Sequence, residues 1–217
     1  MNSKILILLI LMSLIGLGGA GVFVYKNKEE TPLIPLIKEE AKPAIKESFN
    51  VVQGKETLLV KDDFTITLPV GWQEVTDFPE VLVMAIDARE EITNEKAKNI
   101  DFKTNFSIKS DDIGKYSKLH GAQEYIESVK TSLVQLIPSI EFTHEEQGII
   151  DGNNAFFIEC ESTQEGINFK TLLVFIEGSN NIIWVISFNT FQNSWLTYRD
   201  LFYQIAESFR LKYKLEL

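Results

Sequence analysis

A chain of 217 residues with a formal net charge of −10 lacks the surplus of Lys and Arg that binding a phosphate backbone requires, which argues against a nucleic-acid partner. The same acidity works against adhesion of a folded face to anionic lipid and favours a solvated surface or basic partners. One cysteine, Cys160, leaves no intramolecular disulfide, so any folded part must be held by its core, to which the 15 Phe contribute.

The chain opens on an uncharged apolar run from Ile5 to Tyr25, flanked by Lys4 and by Lys26 and Lys28. About 20 apolar residues at roughly 1.5 Å rise each cross a hydrocarbon core of about 30 Å, so residues 1–25 read as a transmembrane helix. Gly18-Gly19-Ala20 offers the small residues that signal peptidase accepts. The run nevertheless continues through Val22 to Tyr25 to full spanning length, which favours an uncleaved anchor. No cysteine comes directly after it, so acylation as a lipoprotein is not expected. The positive-inside rule counts Lys26, Lys28, Lys38 and Lys42 against Lys4, which would keep the C-terminal side in the cytoplasm. The very short N-terminal tail is instead typical of a signal anchor that exports the chain on its C-terminal side. On that ground the expectation is a single-pass cell-membrane protein with an extracytoplasmic domain.

Residues 26–56 are rich in Lys and Glu and broken by Pro32, Pro35 and Pro43, a composition that makes a semi-extended tether. The folded domain is expected over 57–217. Thr57 to Val60 and Phe64 to Leu68 read as strands, the second alternating Phe64, Ile66 and Leu68 on one face, with a turn at Pro69-Val70-Gly71-Trp72. Val81 to Asp87 is a further β run. Arg89 to Lys98 is a charged loop, and Phe102 to Lys109 a half-buried strand. Asp62-Asp63 and Asp111-Asp112 read as turn pairs.

The first amphipathic helix is expected from about Gly121 to Ile137, where Ala122, Ile126, Val129, Leu133 and Leu136 form one stripe that Pro138 ends. Strands come next at Ile140 to Gln147, Ile149-Ile150, Ala155 to Ser162, Ile167 to Glu177 and Ile182 to Thr190, separated by Gly- and Asn-rich turns, which is the pattern of an antiparallel meander. Leu172 to Ile176 and Ile182 to Phe188 are apolar on nearly every residue, so both faces of the sheet must be covered. Helices are expected to supply both covers. The second helix runs from Ser194 to about Lys212, with Trp195, Tyr198, Phe202, Ile205 and Phe209 on its buried face. Together these elements predict an α+β fold, an antiparallel sheet meander flanked by helices as an α/β/α sandwich.

Catalytic, cofactor and metal residues are not identified. His120 and His144 have no partner at metal-ligand spacing, and no Gly-x-Ser-x-Gly elbow or glycine-rich phosphate loop is present. Cys160 shares a strand face with Ile158 and Phe156 and reads as a small buried apolar residue. Glu159 and Glu161 share the opposite face and are expected at a rim paired with a base such as Lys170. Asn105-Phe106-Ser107 is a formal glycosylation acceptor placed inside a strand.

Several stretches resemble PsbP-like proteins. Phe64-x-Ile66-x-x-Pro69-x-Gly71-Trp72 is similar to their first hairpin, and Gly152-Asn153-Asn154-Ala155-Phe156 to the entry of their central strands. Trp184-Val185-Ile186-Ser187-Phe188 resembles their aromatic-led last strand, before a helix that closes in Ser208-Phe209. The resemblance spans about Phe64 to Leu211. It implies the α/β/α sandwich shared with the Ran-binding Mog-type proteins, and a role in binding other proteins without catalysis. The expected function is thus a membrane-tethered, non-enzymatic accessory domain for another exported or membrane protein. The alternatives are a carrier of a small apolar ligand in a helix–sheet pocket, or an enzyme of unknown type. Loops on a rigid sandwich commonly carry recognition, which singles out 77–99 and its charges Arg89, Glu90, Glu91, Glu95 and Lys96.

Overall fold

The computed structural model describes residues 55–76, 81–91, 98, 102–116, 119 and 121–212. The expected anchor, nearly all of the tether, residues 77–80, 92–97 and 99 of the expected recognition loop, and His120 lie outside the described residues. Among those described, no helix is long and apolar enough to cross a membrane.

The elements in chain order are β1 (Thr57–Val60), β2 (Phe64–Leu68), β3 (Trp72–Glu74), β4 (Val83–Asp87), β5 (Asn105–Asp112), α1 (Ala122–Leu136), β6 (Glu141–Ile150), β7 (Asn153–Gln164), β8 (Ile167–Glu177), β9 (Ile182–Phe191), α2 (Trp195–Glu207) and β10 (Arg210–Leu211). All pairings are antiparallel, in a seven-stranded sheet of order β3-β4-β5-β9-β8-β7-β6 and a three-stranded sheet of order β1-β2-β10. The β6–β7 and β7–β8 hairpins close through the two-residue turns Asp151-Gly152 and Glu165-Gly166, and the four-residue β8–β9 connection turns at Asn180-Asn181; both residues of each pair have positive φ. That geometry matches the twist of the flanking strands and is accessible to Gly and Asn at little cost. β9 then pairs with β5 rather than extending the meander, which buries β9 in the middle of the sheet and leaves β6 at its edge.

Each face of the large sheet carries its own core. On one side Tyr125, Ile126, Val129 and Leu133 of α1 pack on Ile158, Cys160, Leu173, Phe175, Ile183 and Val185. On the other side Phe202, Ile205 and Ala206 of α2 pack on Leu172, Val174, Ile176, Ile186 and Phe188. The small sheet shares this second face: Phe64, Ile66 and Leu68 of β2 point into the same core, and Phe64 meets Trp184 edge-on at 5.3 Å between ring centroids.

Three expectations are corrected. The second face is covered by a helix and a small sheet together, because one helix about 10 Å across cannot shield the face of a seven-stranded sheet whose strands lie about 4.8 Å apart. The last helix ends at Glu207, not near Lys212: the Ser208 hydroxyl donates to Ile205 O at 2.7 Å and accepts from Thr67 N at 2.9 Å, and the chain turns extended to pair as β10 with β2. Phe209 is fully buried as expected, but beyond the helix, between Phe64 at 5.2 Å and Trp184 at 5.6 Å. Asp111 and Asp112 end a strand instead of forming a turn, with Asp112 capping a short 3-10 turn through its contact with Gly114 N.

Candidate functional site

The 77–99 stretch expected to carry recognition is not loop throughout, since it contains β4, Val83–Asp87; the chain leaves that strand at Asp87, and the described residues directly after it are held from below. Arg89 folds back on Asp87, its Nε donating to Oδ1 at 3.2 Å and its Nη2 to Oδ2 at 3.3 Å, while the Arg89 backbone N–H also donates to Oδ1 at 3.0 Å. Asp87 is 4% exposed and receives a further hydrogen bond from Tyr198 Oη of α2 at 3.1 Å. The hydrogen bonds that Arg89 donates to Asp87 hold its guanidinium above its ordinary pKa, and burial together with the Glu90 and Asp87 charges pushes the Tyr198 phenol up. Both groups therefore keep their protons as the clamp requires. Arg89 also lies flat over Gly71, where an added Cβ would fall 2.1 Å from Nε. Gly71 has φ +83°, a left-handed turn conformation that favours glycine, and a side chain there would also displace Arg89 from its place.

Glu90 turns inward as well. Its carboxylate accepts from the backbone N–H of Thr104 and from Thr104 Oγ1 at 2.8 Å, and Thr104 in turn meets Thr190 Oγ1 at 2.8 Å. Glu91 is exposed, while Glu95 and Lys96 lie outside the described residues. Of the five charges singled out in the loop, two are thus spent on bracing its base. The periodicity of the sequence gives no sign of this, because the braces come from Gly71, Thr104 and Tyr198, far away along the chain.

Beside this base runs a second polar cluster on the same sheet face. Lys170 of β8 stands opposite Glu161 of β7 and donates to its Oε1 at 2.9 Å, to Thr143 Oγ1 at 2.6 Å, and lies 3.6 Å from Glu159 Oε2. Glu159, 5% exposed, is completed from α2 by Arg199 Nε at 2.8 Å and Tyr203 Oη at 3.2 Å. Gln192 closes on Glu161 at 2.9 Å, and Lys170 lies 5.4 Å from the centre of the Trp195 ring. The expected pairing of Glu159 and Glu161 with Lys170 is present, but it is roofed by α2 rather than lying at an open rim. Two carboxylates against one ammonium and one guanidinium form a satisfied, charge-balanced network that leaves no acid or base free for chemistry.

The Cys160 thiol, on the opposite face, is pushed up to about 12 by burial and is no nucleophile at neutral pH. Among the described residues no three His, Cys, Asp or Glu side chains are grouped to hold a metal ion.

No family model matches the sequence and no curated protein matches it. Solved structures do. Cyanobacterial PsbP (CyanoP) from Synechocystis is similar over 77% of this chain and 99% of its own, with a TM-score of 0.52 at 19% identity. The Saccharomyces cerevisiae Ran-binding protein Mog1p is similar over 72% of this chain and 94% of its own, with a TM-score of 0.52 at 13% identity. LpqN, involved in cell envelope biogenesis of Mycobacterium tuberculosis, matches 73% of this chain and 91% of its own, with a TM-score of 0.52 at 9% identity. Identities this low speak for the fold, and the chain has the PsbP/Mog1-like α+β fold, with antiparallel sheets packed against α1 and α2 among the described residues.

Proposed function

We propose that this chain is a membrane-tethered, extracytoplasmic accessory domain that works by binding another exported or membrane protein, through the sandwich end that carries the 77–99 loop. The observation that carries the reading is the double clamp under that loop. Asp87 with Arg89 and Tyr198, and Glu90 with Thr104, fix the backbone on which the exposed Glu91 and the residues after it are mounted. A braced recognition loop loses less conformational freedom on docking, which favours affinity without added contact area. The likeness of fold to a Ran-binding protein supports a binding role, and the apolar run of residues 5–25 with its proline-bearing tether supports confinement near a bilayer. Confinement raises the effective concentration toward neighbours on that surface. Glu91, Glu95 and Lys96 would then tune the association rate more than the affinity.

Photoreactive residues placed in turn at 91, 95 and 96 in intact cells are expected to give one discrete cross-linked partner. If none of these positions yields a partner, and the purified protein instead retains a lipid or converts a metabolite, the reading falls.

A further inference from the structure

β6 is an edge strand of ten residues, Glu141–Ile150, and among the described residues its one partner is β7. Its residues are exposed along nearly the whole length. From His144 opposite Glu159 to Ile150 opposite Asn153 the register runs without interruption, the one irregularity being confined to the step from Phe142 to His144. Such an edge presents a row of outward N–H and C=O groups, which is a template for another strand.

Folded proteins blunt their edges with short strands, proline, bulges or charge. β6 is long and contains no proline, and its bulge lies near one end. The guard that remains is charge of one sign. Glu145 lies on the α1 side, where Lys130 Nζ reaches it at 2.7 Å, and Glu146 lies on the α2 side, 3.4 Å from His144 Nε2. Carboxylates therefore flank the edge from both sides. An antiparallel pair of two β6 strands would bring these carboxylates against their copies, which disfavours a second molecule of this chain. A strand carrying Lys or Arg at two adjacent positions, whose side chains point to opposite faces as those of Glu145 and Glu146 do, would gain the backbone ladder and cross-strand ion pairs together. Beyond the carboxylates, Ile149, 64% exposed, offers an apolar seat at the end of the regular stretch.

We infer that β6 is an acceptor edge that takes up an extended, basic segment of a partner protein as an eighth strand of the large sheet. This surface is separate from the braced loop and does not depend on it.

The test uses the full chain in detergent micelles and a labelled ten-residue peptide of Val and Thr with two adjacent Lys at its centre, capped at both ends. Binding is read by fluorescence anisotropy, and backbone protection by hydrogen exchange. The expected result is protection gained over Glu141–Ile150. The Kd is expected to rise at least about 5-fold between low and physiological salt, as screening weakens the ion pairs. The same peptide N-methylated at alternate amides keeps its charge but cannot form the ladder, and is expected to lose at least about 10-fold in affinity. Glu145→Lys with Glu146→Lys, its folding checked by circular dichroism, should turn the preference toward the same peptide with two adjacent Glu in place of the two Lys, whereas Glu91→Gln should change nothing. Equal binding of the N-methylated peptide, protection scattered over the acidic surface, or an unchanged preference in the double variant would each overturn the proposal. None of these outcomes bears on cross-linking from the loop.

Discussion

Lys170 is 5% exposed, and Glu161, Thr143 and Glu159 all lie within reach of its Nζ. Removing one member of such a set leaves the others desolvated without a counter-charge, whereas removing charge from both sides leaves little to compensate. Lys170→Ala is therefore expected to cost about 3–5 kcal/mol in urea unfolding. Lys170→Met combined with Glu159→Gln should cost less than the sum of the two single changes, because the pair is coupled. Asp111 shows the opposite balance. Burial raises its carboxyl above the usual range, and the hydrogen bonds from Tyr125 and Tyr116 only partly offset this. Its folded pKa thus lies above the unfolded one, so its contribution to stability is fully present below the unfolded pKa and is lost as pH rises through the folded one. At neutral pH the ionised group works against folding. Asp111→Asn keeps an acceptor for the phenols and is expected to leave the domain as stable or slightly more stable at pH 7, by less than about 1 kcal/mol because the site is half open to solvent. The difference should shrink as pH falls below the carboxylate range, which thermal melts across pH 3 to 7 would show.

At the scale of elements, the C-terminal segment is the informative one. Phe202 and Phe209 are both fully buried, but one lies on α2 and the other beyond it. Truncating either to Ala is expected to cost about 3–5 kcal/mol by cavity formation. The consequences should differ in place. Phe209→Ala takes away the ring that wedges between Phe64 and Trp184, and so loosens β10 against β2. The Leu211 amide, which donates to Asp151 Oδ2 at 2.8 Å, should then exchange faster than in Phe202→Ala at equal overall stability. Exchange equal in the two variants would mean that β10 is held by its own bonds and not by the ring. Glu207, exposed at the end of α2, should change stability by less than about 0.5 kcal/mol when replaced by Ala. Gly71→Ala couples an element to the loop, since the added methyl meets the Arg89 side chain and φ is left-handed. It is expected to cost about 1–2 kcal/mol from the backbone alone. It should also speed exchange at Arg89, whose backbone N–H is held by Asp87.

For the whole molecule, the proposed anchor and exported domain set the expected behaviour in cells. Protease added to intact cells should degrade the domain, and removal of residues 1–25 should release a soluble protein. A domain that survives protease until the inner membrane is opened would place it in the cytoplasm and remove exported partners from consideration. The charge count around the apolar run favours that second outcome and the short N-terminal tail the first, so this measurement decides which signal the membrane obeys.

Local pattern was enough to read the longer strands, the first helix and the hairpin turns, because side-chain alternation, a 3–4 stripe and Gly or Asn at left-handed positions are written within a few residues of each other, while the short β3 and β10 went unread and the continuous β6 was read as two pieces. It also read the doubly buried character of β8 and β9, since strands apolar on every residue cannot face water on either side. The end of α2 was not legible: Phe209 continues the helical stripe in sequence, and only the pull of β2 on Arg210 and Leu211 breaks the helix before it. The small sheet that shares one face with α2 was likewise decided by long-range packing, because a strand pattern does not say which sheet will take it. At the candidate site the sequence supplied the charges of the 77–99 loop, and the tertiary structure decided their use. Arg89 and Glu90 became braces because Asp87 and Thr104 lie beneath them, and Tyr198, more than a hundred positions away in sequence, closes the clamp on Asp87. Hydrogen bonds between such distant partners leave no periodic trace in a chain, so residue type announces a charge and only the fold assigns it a partner.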